Sequence, residues 1–200
     1  MRMSRPVTVA ALTLTIAIFA GGCSPEEDLS TKEAKSGSTG SPSESREPSA
    51  SSGWKTASVK IAQIQVPLEW TISSSADQAQ IVRAPKDSIG LSPGSGKIVA
   101  GPHAGDGDDE NAVNALAELR EVALANDLKT LKRLPNEAIN GSIFYHFRGE
   151  DEHTWQDHFG TVLPGGDDRF TISWDFTKAD IDRKGAEALI AQIMPTYKPL

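Results

Sequence analysis

The sequence predicts an α+β fold, an antiparallel β-sheet flanked by helices, and three observations predict it. Between residues 142 and 176 apolar side chains alternate in three runs separated by short turns, the pattern of an antiparallel meander with a buried face. Residues 110–125 carry Ala112, Leu116, Leu119 and Ala123 at helical spacing, beside Val113 and Val122. After Thr177 the apolar spacing returns to helical through Ile181, Leu189, Ile190 and Ile193.

Each element of residues 54–200 follows from its own pattern. Val59 and Ile61 alternate, then Ile64 and Val66 alternate in the opposite phase. A single strand with a bulge near residues 62–63 accounts for that switch, and Pro67 ends it. Trp70 and Ile72 open a second short strand, 80–83 reads as a third and 97–100 as a fourth, with the Ser-Pro-Gly-Ser-Gly of 92–96 as turn material. The central helix takes Asp108 or Asp109 as its N-cap. The three late strands read as 142–148, 153–163 and 168–176: Ile143, Tyr145 and Phe147, then Trp155, Phe159 and Leu163, then Phe170, Ile172, Trp174 and Phe176. The last helix takes Thr177 as N-cap, with Asp180 three residues on, and stops at Pro195.

The 200 residues divide into three parts: 1–22 a signal, 23–53 a tether, and 54–200 one α+β domain. Apolar residues are 38 % of the chain and the formal charge is -7, which argues against phosphate-backbone binding and implies no nucleic-acid partner. One cysteine in the chain excludes an intrachain disulfide framework and any multi-cysteine metal site. Arg2 and Arg5 precede an apolar run over 7–20, followed by Gly21, Gly22 and Cys23, the layout of a secretory signal. A largely apolar segment of fourteen residues falls short of the ~20 that span a bilayer, so cleavage is expected. Residues 24–53 hold ten serines, three prolines and three glycines and cannot bury enough apolar surface to offset ordering. A flexible chain of that length has an r.m.s. span of about 30 Å. Its serines beside prolines are also candidate O-glycan acceptors.

Ala20-Gly21-Gly22-Cys23 resembles the lipobox of bacterial lipoproteins, with Ala20 where leucine is commonest. The resemblance implies cleavage between Gly22 and Cys23, a thioether-linked diacylglycerol on Cys23 and retention at the outer face of the cell membrane. Two acyl chains give stable attachment where one gives marginal binding. A second resemblance covers most of 58–198. Val66-Pro67-Leu68-Glu69-Trp70, the central helix, the 141–147 strand with its tyrosine, the long hairpin and the terminal helix are similar to the PsbP-like α/β/α sandwich, including actinobacterial lipoproteins of the LpqN type. Glu69 stands where that family commonly has glycine. The resemblance implies a binding and assembly scaffold without shared catalytic residues, and fold does not dictate function.

Candidates for chemistry are few. The acidic run 106–110 lacks an EF-hand's glycine and glutamate, because the sixth and twelfth places counted from Asp106 hold Asn111 and Ala117. Acids ahead of a helix favour its positive dipole end, so capping is the expected role. His103, His146, His153 and His158 include no pair at the i, i+4 spacing of a zinc protease. His146 and His158 share a face if Phe144 pairs with His158, with no flanking carboxylate to complete a site. Gly90-Leu91-Ser92-Pro93-Gly94 matches a nucleophile elbow only in letters, since Pro93 removes the N–H that an oxyanion hole would use. Asp157 breaks the apolar pattern. It is expected among Tyr145, Trp155, Phe159 and Trp174, hydrogen-bonded to the Tyr145 hydroxyl or the Trp174 indole, or else facing a ligand pocket as its anionic anchor.

These readings converge on a non-enzymatic, lipid-anchored envelope module without cofactor or metal, whose partner is an envelope protein or a small envelope-derived ligand. The alternatives are a small hydrolase using Asp157 with a histidine, and a lipid or glycolipid carrier. A carboxylate–histidine pair in an open cleft would favour the hydrolase, an exposed apolar patch without such a pair the binder, and an enclosed apolar cavity the carrier.

Overall fold

A computed structural model describes residues 53–76, 78–87, 90 and 92–200. The expected signal, Cys23 and the expected tether up to residue 52 lie outside the described residues. The elements are β1 (Trp54–Val59), β2 (Ala62–Pro67), β3 (Thr71–Ala76), β4 (Ala79–Arg83), β5 (Gly94–Pro102), α1 (Glu110–Leu124), β6 (Thr130–Ile139), β7 (Ser142–Glu150), β8 (Thr154–Val162), β9 (Asp168–Thr177), α2 (Arg183–Ile193) and β10 (Lys198–Pro199). A 3-10 turn, Met194–Thr196, joins α2 to β10.

Seven strands form one antiparallel sheet in the order β3-β4-β5-β9-β8-β7-β6, and β1, β2 and β10 form a small second sheet. Strand alternation divides the large sheet's side chains between two cores. On one face Ile98, Phe144, Phe159, Ile172, Trp174 and Phe176 pack with the small sheet and with Ala186, Ile190 and Ile193 of α2. On the other, Tyr145, Phe147 and Val162 meet Val113, Leu116, Ala117 and Leu124 of α1. The layering that the PsbP-like resemblance implies, a helix against each face of an antiparallel sheet, is therefore present.

Several expected elements differ. The opposite phases of Val59/Ile61 and Ile64/Val66 mark a chain reversal, not a bulge: β1 and β2 are a hairpin in which Val59 pairs with Ala62. The supposed turn material of 92–96 supplies the first residues of β5, a nine-residue strand in mid-sheet. Gly96 lies there because a Cβ would meet the Trp174 ring and come within 2.9 Å of Val82. An unexpected strand, β6, forms the sheet edge. Pro135 sits at its register shift between Leu134 and Glu137, where an edge tolerates a residue without N–H. The last helix starts later than expected, with Asp182 rather than Thr177 as N-cap, accepting from Gly185 N at 2.7 Å.

Candidate functional site

Two constellations stand on opposite faces of the large sheet. The first grows from Asp157. Alternation along β8 places it in the row of Trp155 and Phe159, and pairing sets it opposite Arg148 of β7 and Trp174 of β9. Its side chain exposes 0 % of its surface. The Trp174 indole N–H has no acceptor, and Tyr145 packs in the opposite core. Neither expected hydrogen bond to Asp157 exists, because Tyr145 is one residue out of phase with the Phe144/His146/Arg148 row of β7.

Asp157 is held instead by three basic side chains. His146 Nε2 lies 2.7 Å from Oδ1, and Arg148 Nε donates to the same oxygen at 3.3 Å. Arg183 Nη2 approaches Oδ2 to 2.6 Å as an ion pair. The network continues outward. Glu137 Oε1 lies 2.7 Å from His146 Nδ1, while Glu187 meets Arg148 Nη1 at 2.8 Å and Arg183 Nε at 3.1 Å. Three acids and three basic side chains thus tie β6, β7 and β8 to α2. The imidazole also stacks on Phe159, centroids 3.9 Å apart. The expectation that His146 lacks a flanking carboxylate is wrong: the register brings one to each ring nitrogen.

A cleft of about 510 Å³ opens beside this network, between His146, Arg148 and α2. Its lining includes no Ser, Thr, Cys or Tyr among the described residues. A hydrolytic triad needs one imidazole nitrogen on a carboxylate and the other facing a nucleophile. Here both nitrogens face carboxylates, so neither is placed to take a proton from substrate. The arrangement positions α2 on the sheet.

The second constellation lies under α1. The helix packs over β7 and β8, and the neighbouring β5 and β9 contribute an uncovered floor with Val99, Thr171 and Ser173. Between them is a cleft of about 360 Å³. Leu116, Arg120 and Leu124 are four residues apart and share one helix face, so a guanidinium occupies a place the periodicity assigns to the core. Arg120 Nη2 lies 3.2 Å from Nδ1 of buried His158, whose Nε2 lies 3.1 Å from Gln156 Oε1. The amide oxygen can only accept, so Nε2 donates and Nδ1 accepts from Arg120. Burial, and then the Arg120 charge, push the His158 pKa down to about 4. Burial likewise raises Tyr145, beside the same cleft, to about 12 against the opposing pull of Arg120 and Arg169. Both side chains are neutral at pH 7.

His158 faces α1, whereas His146 faces α2. The register pairs Phe147, not Phe144, with His158, so the two histidines do not share a face. His103 and His153 lie in the connections after β5 and before β8, and neither lines either cleft. Leu119 and Val122 are 72 % and 70 % exposed. Both were expected in the buried stripe, but Leu119 stands at its edge, where it lines the cleft, and Val122 lies on the helix's outer side, away from the buried positions.

The remaining candidates have local roles. Asp109 caps α1 by accepting from Ala112 N at 3.0 Å, and that bond lowers its pKa. Asp108 accepts from Gly165 N at 2.8 Å. Ser92 Oγ lies 2.8 Å from the Ala84 carbonyl and 2.9 Å from the Gly94 carbonyl, its one hydrogen shared between them, which braces the entry to β5 and leaves no nucleophile elbow.

No family model and no curated protein sequence matches the chain. Solved structures do resemble it. The Ran-binding protein Mog1p of Saccharomyces cerevisiae is 11 % identical over 72 % of this chain and 94 % of its own, with a TM-score of 0.49. A point mutant of the protein Mog1 gives 0.45 at 11 % identity over 72 % and 86 %. A protein from Bacteroides thetaiotaomicron VPI-5482 gives 0.41 at 16 % identity over 70 % of this chain, which spans 45 % of that one. At these identities and TM-scores the likeness carries nothing about activity or partner.

Proposed function

We propose that the chain is a non-enzymatic binding module of the cell envelope, held at the outer face of the membrane by a diacylglycerol on Cys23 and carried on the 24–53 tether. The observation that supports binding is the α1 cleft, where cations and exposed apolar side chains meet at a half-open groove. The tether raises the effective concentration of this surface near the bilayer. The hydrolase alternative is weakened by the doubly engaged imidazole of His146 and by the lack, among the described residues lining its cleft, of a hydroxyl or thiol. The enclosed apolar cavity of a carrier is unlike this groove, which is open and carries charge.

Fractionation of cells expressing the full chain tests the anchor. Wild type is expected in the membrane fraction with an intact mass that includes the lipid, and Cys23→Ser is expected to be released or to remain unprocessed. Retention of Cys23→Ser at the wild-type level overturns the anchor. Turnover of ester or amide substrates that is abolished by His146→Ala in a folded protein overturns the non-enzymatic reading.

A further inference from the structure

We infer that the cleft between α1, β5 and β9 takes a single-chain anionic amphiphile, a carboxylate or phosphate head carrying one acyl chain; this rests on the binding reading above and names its ligand. Lys97, Arg120 and Arg169 converge on the cleft, and among the described residues none of the three has a carboxylate oxygen within 4 Å, since every ion pair present involves other cations. The half-buried Asp175 is within electrostatic reach of Arg120 but does not pair with it. His158 accepts from Arg120 as a neutral imidazole and supplies no counter-charge. A half-buried guanidinium without a partner anion is under-satisfied, and an incoming anion supplies it with charge-assisted hydrogen bonds.

The charge distribution selects a small ligand over a macromolecule. Residues 54–200 hold 15 basic and 21 acidic side chains, so an extended polyanion or an acidic protein face meets net repulsion. A compact anion meets the three cations lining the cleft, with Asp175 the carboxylate within electrostatic reach of Arg120. The volume of about 360 Å³ lies at the small end of the ~300–1,000 Å³ typical of small-molecule sites, enough for a head and the first part of a chain. Polarity is graded to match. The guanidinium of Arg120 lies inward against His158, while Leu119, Ala123 and Val99 line the cleft beside it. The head therefore seats at Arg120 and Arg169, and the chain leaves across Leu119 and Ala123.

Titration calorimetry on the full chain in zwitterionic nanodiscs, corrected with empty nanodiscs, tests this. The probes are laurate, lauroyl lysophosphatidate, the neutral monolaurin and inorganic phosphate. Laurate or the lysophosphatidate is expected to bind at least tenfold more tightly than monolaurin and than phosphate, and whichever binds better identifies the head. Arg120→Met, which puts an apolar chain into an apolar stripe, is expected to weaken that binding at least tenfold without loss of fold, and Leu119→Ser to weaken it severalfold. Equal binding of monolaurin, or binding that survives Arg120→Met unchanged, overturns the assignment. Phosphate binding as well as the amphiphiles reduces it to a plain anion site and overturns the chain. If no probe binds but an isolated membrane protein does so in an Arg120-dependent way, the ligand class fails while the binding reading stands.

Discussion

His146 Nε2 and Asp157 Oδ1 are 2.7 Å apart at a position where the carboxylate has no exposed surface, and that contact is the inner link of a chain that docks α2 on the sheet. Removing one member of a buried ionic network leaves its partners desolvated and unpaired, which costs about 3–5 kcal/mol. Asp157→Asn is therefore expected to lose stability of that order, read from the urea midpoint at unchanged m-value. Ligand binding at the α1 cleft, on the other face of the sheet, is expected to stay at the wild-type level. A loss below about 1 kcal/mol would show that α2 is held by its apolar face alone.

His158 makes stability depend on pH. Its folded pKa is about 4 against an ordinary 6.5, so between those values the unfolded chain binds the extra proton. Stability is full above about pH 6.5, falls as pH drops through the window and levels off near 4, by on the order of 3 kcal/mol in all. Asp175, raised chiefly by burial, acts in the opposite sense just above its ordinary 3.8, so the test is a difference. Urea melts of wild type and His158→Gln across pH 4–7 are expected to show a flatter profile for the variant. Parallel profiles would remove His158 as the cause.

The three late strands were legible because residues on them alternate cleanly between two buried faces, and α1 because its acidic cap and apolar spacing agree. What was hidden depended on long-range pairing. The edge strand β6 lacks clean alternation and contains Pro135, although the Asn140-Gly141 dipeptide, both residues at positive φ, is the hairpin signal that joins it to β7. Asp157 stood out as a polar interruption, but its partners came from register: a one-residue shift of β7 would have offered Tyr145 in place of His146. Arg120 had a visible signal in its place between Leu116 and Leu124. Lys97 and Arg169 had none, since only the β5–β9 pairing brings them to the same cleft.

Gly96 tests the reading of β5. A methyl group there meets the Trp174 ring and Val82, both fully buried, and cores of this density respond to one added carbon with shifted side chains. Gly96→Ala is expected to cost about 1–3 kcal/mol and to change the near-ultraviolet dichroism of the tryptophans. Ala at Gly165, a solvent-exposed turn glycine at φ 97°, serves as the contrast: its cost arises from backbone strain, with the tryptophan signal unchanged. An unaltered signal in Gly96→Ala would mean that β5 and β9 do not approach as described.

On α1, Leu116 and Leu119 are three residues apart and separate core from surface. Leu116 is buried against Tyr145, Phe147 and the α1 core, while Leu119 stands over the open floor of the cleft. Leu116→Ala creates a cavity and is expected to cost about 2–5 kcal/mol. Leu119→Ala removes an exposed side chain from a helix in which alanine is the better former, so its effect is expected within about 0.5 kcal/mol. Both leucines line the cleft, so the separation is read against stability: Leu119→Ala is expected to weaken amphiphile binding with the fold intact, whereas any weakening by Leu116→Ala is expected to accompany a loss of stability. A large stability loss from Leu119→Ala would place that side chain in the core and leave the cleft without its apolar wall.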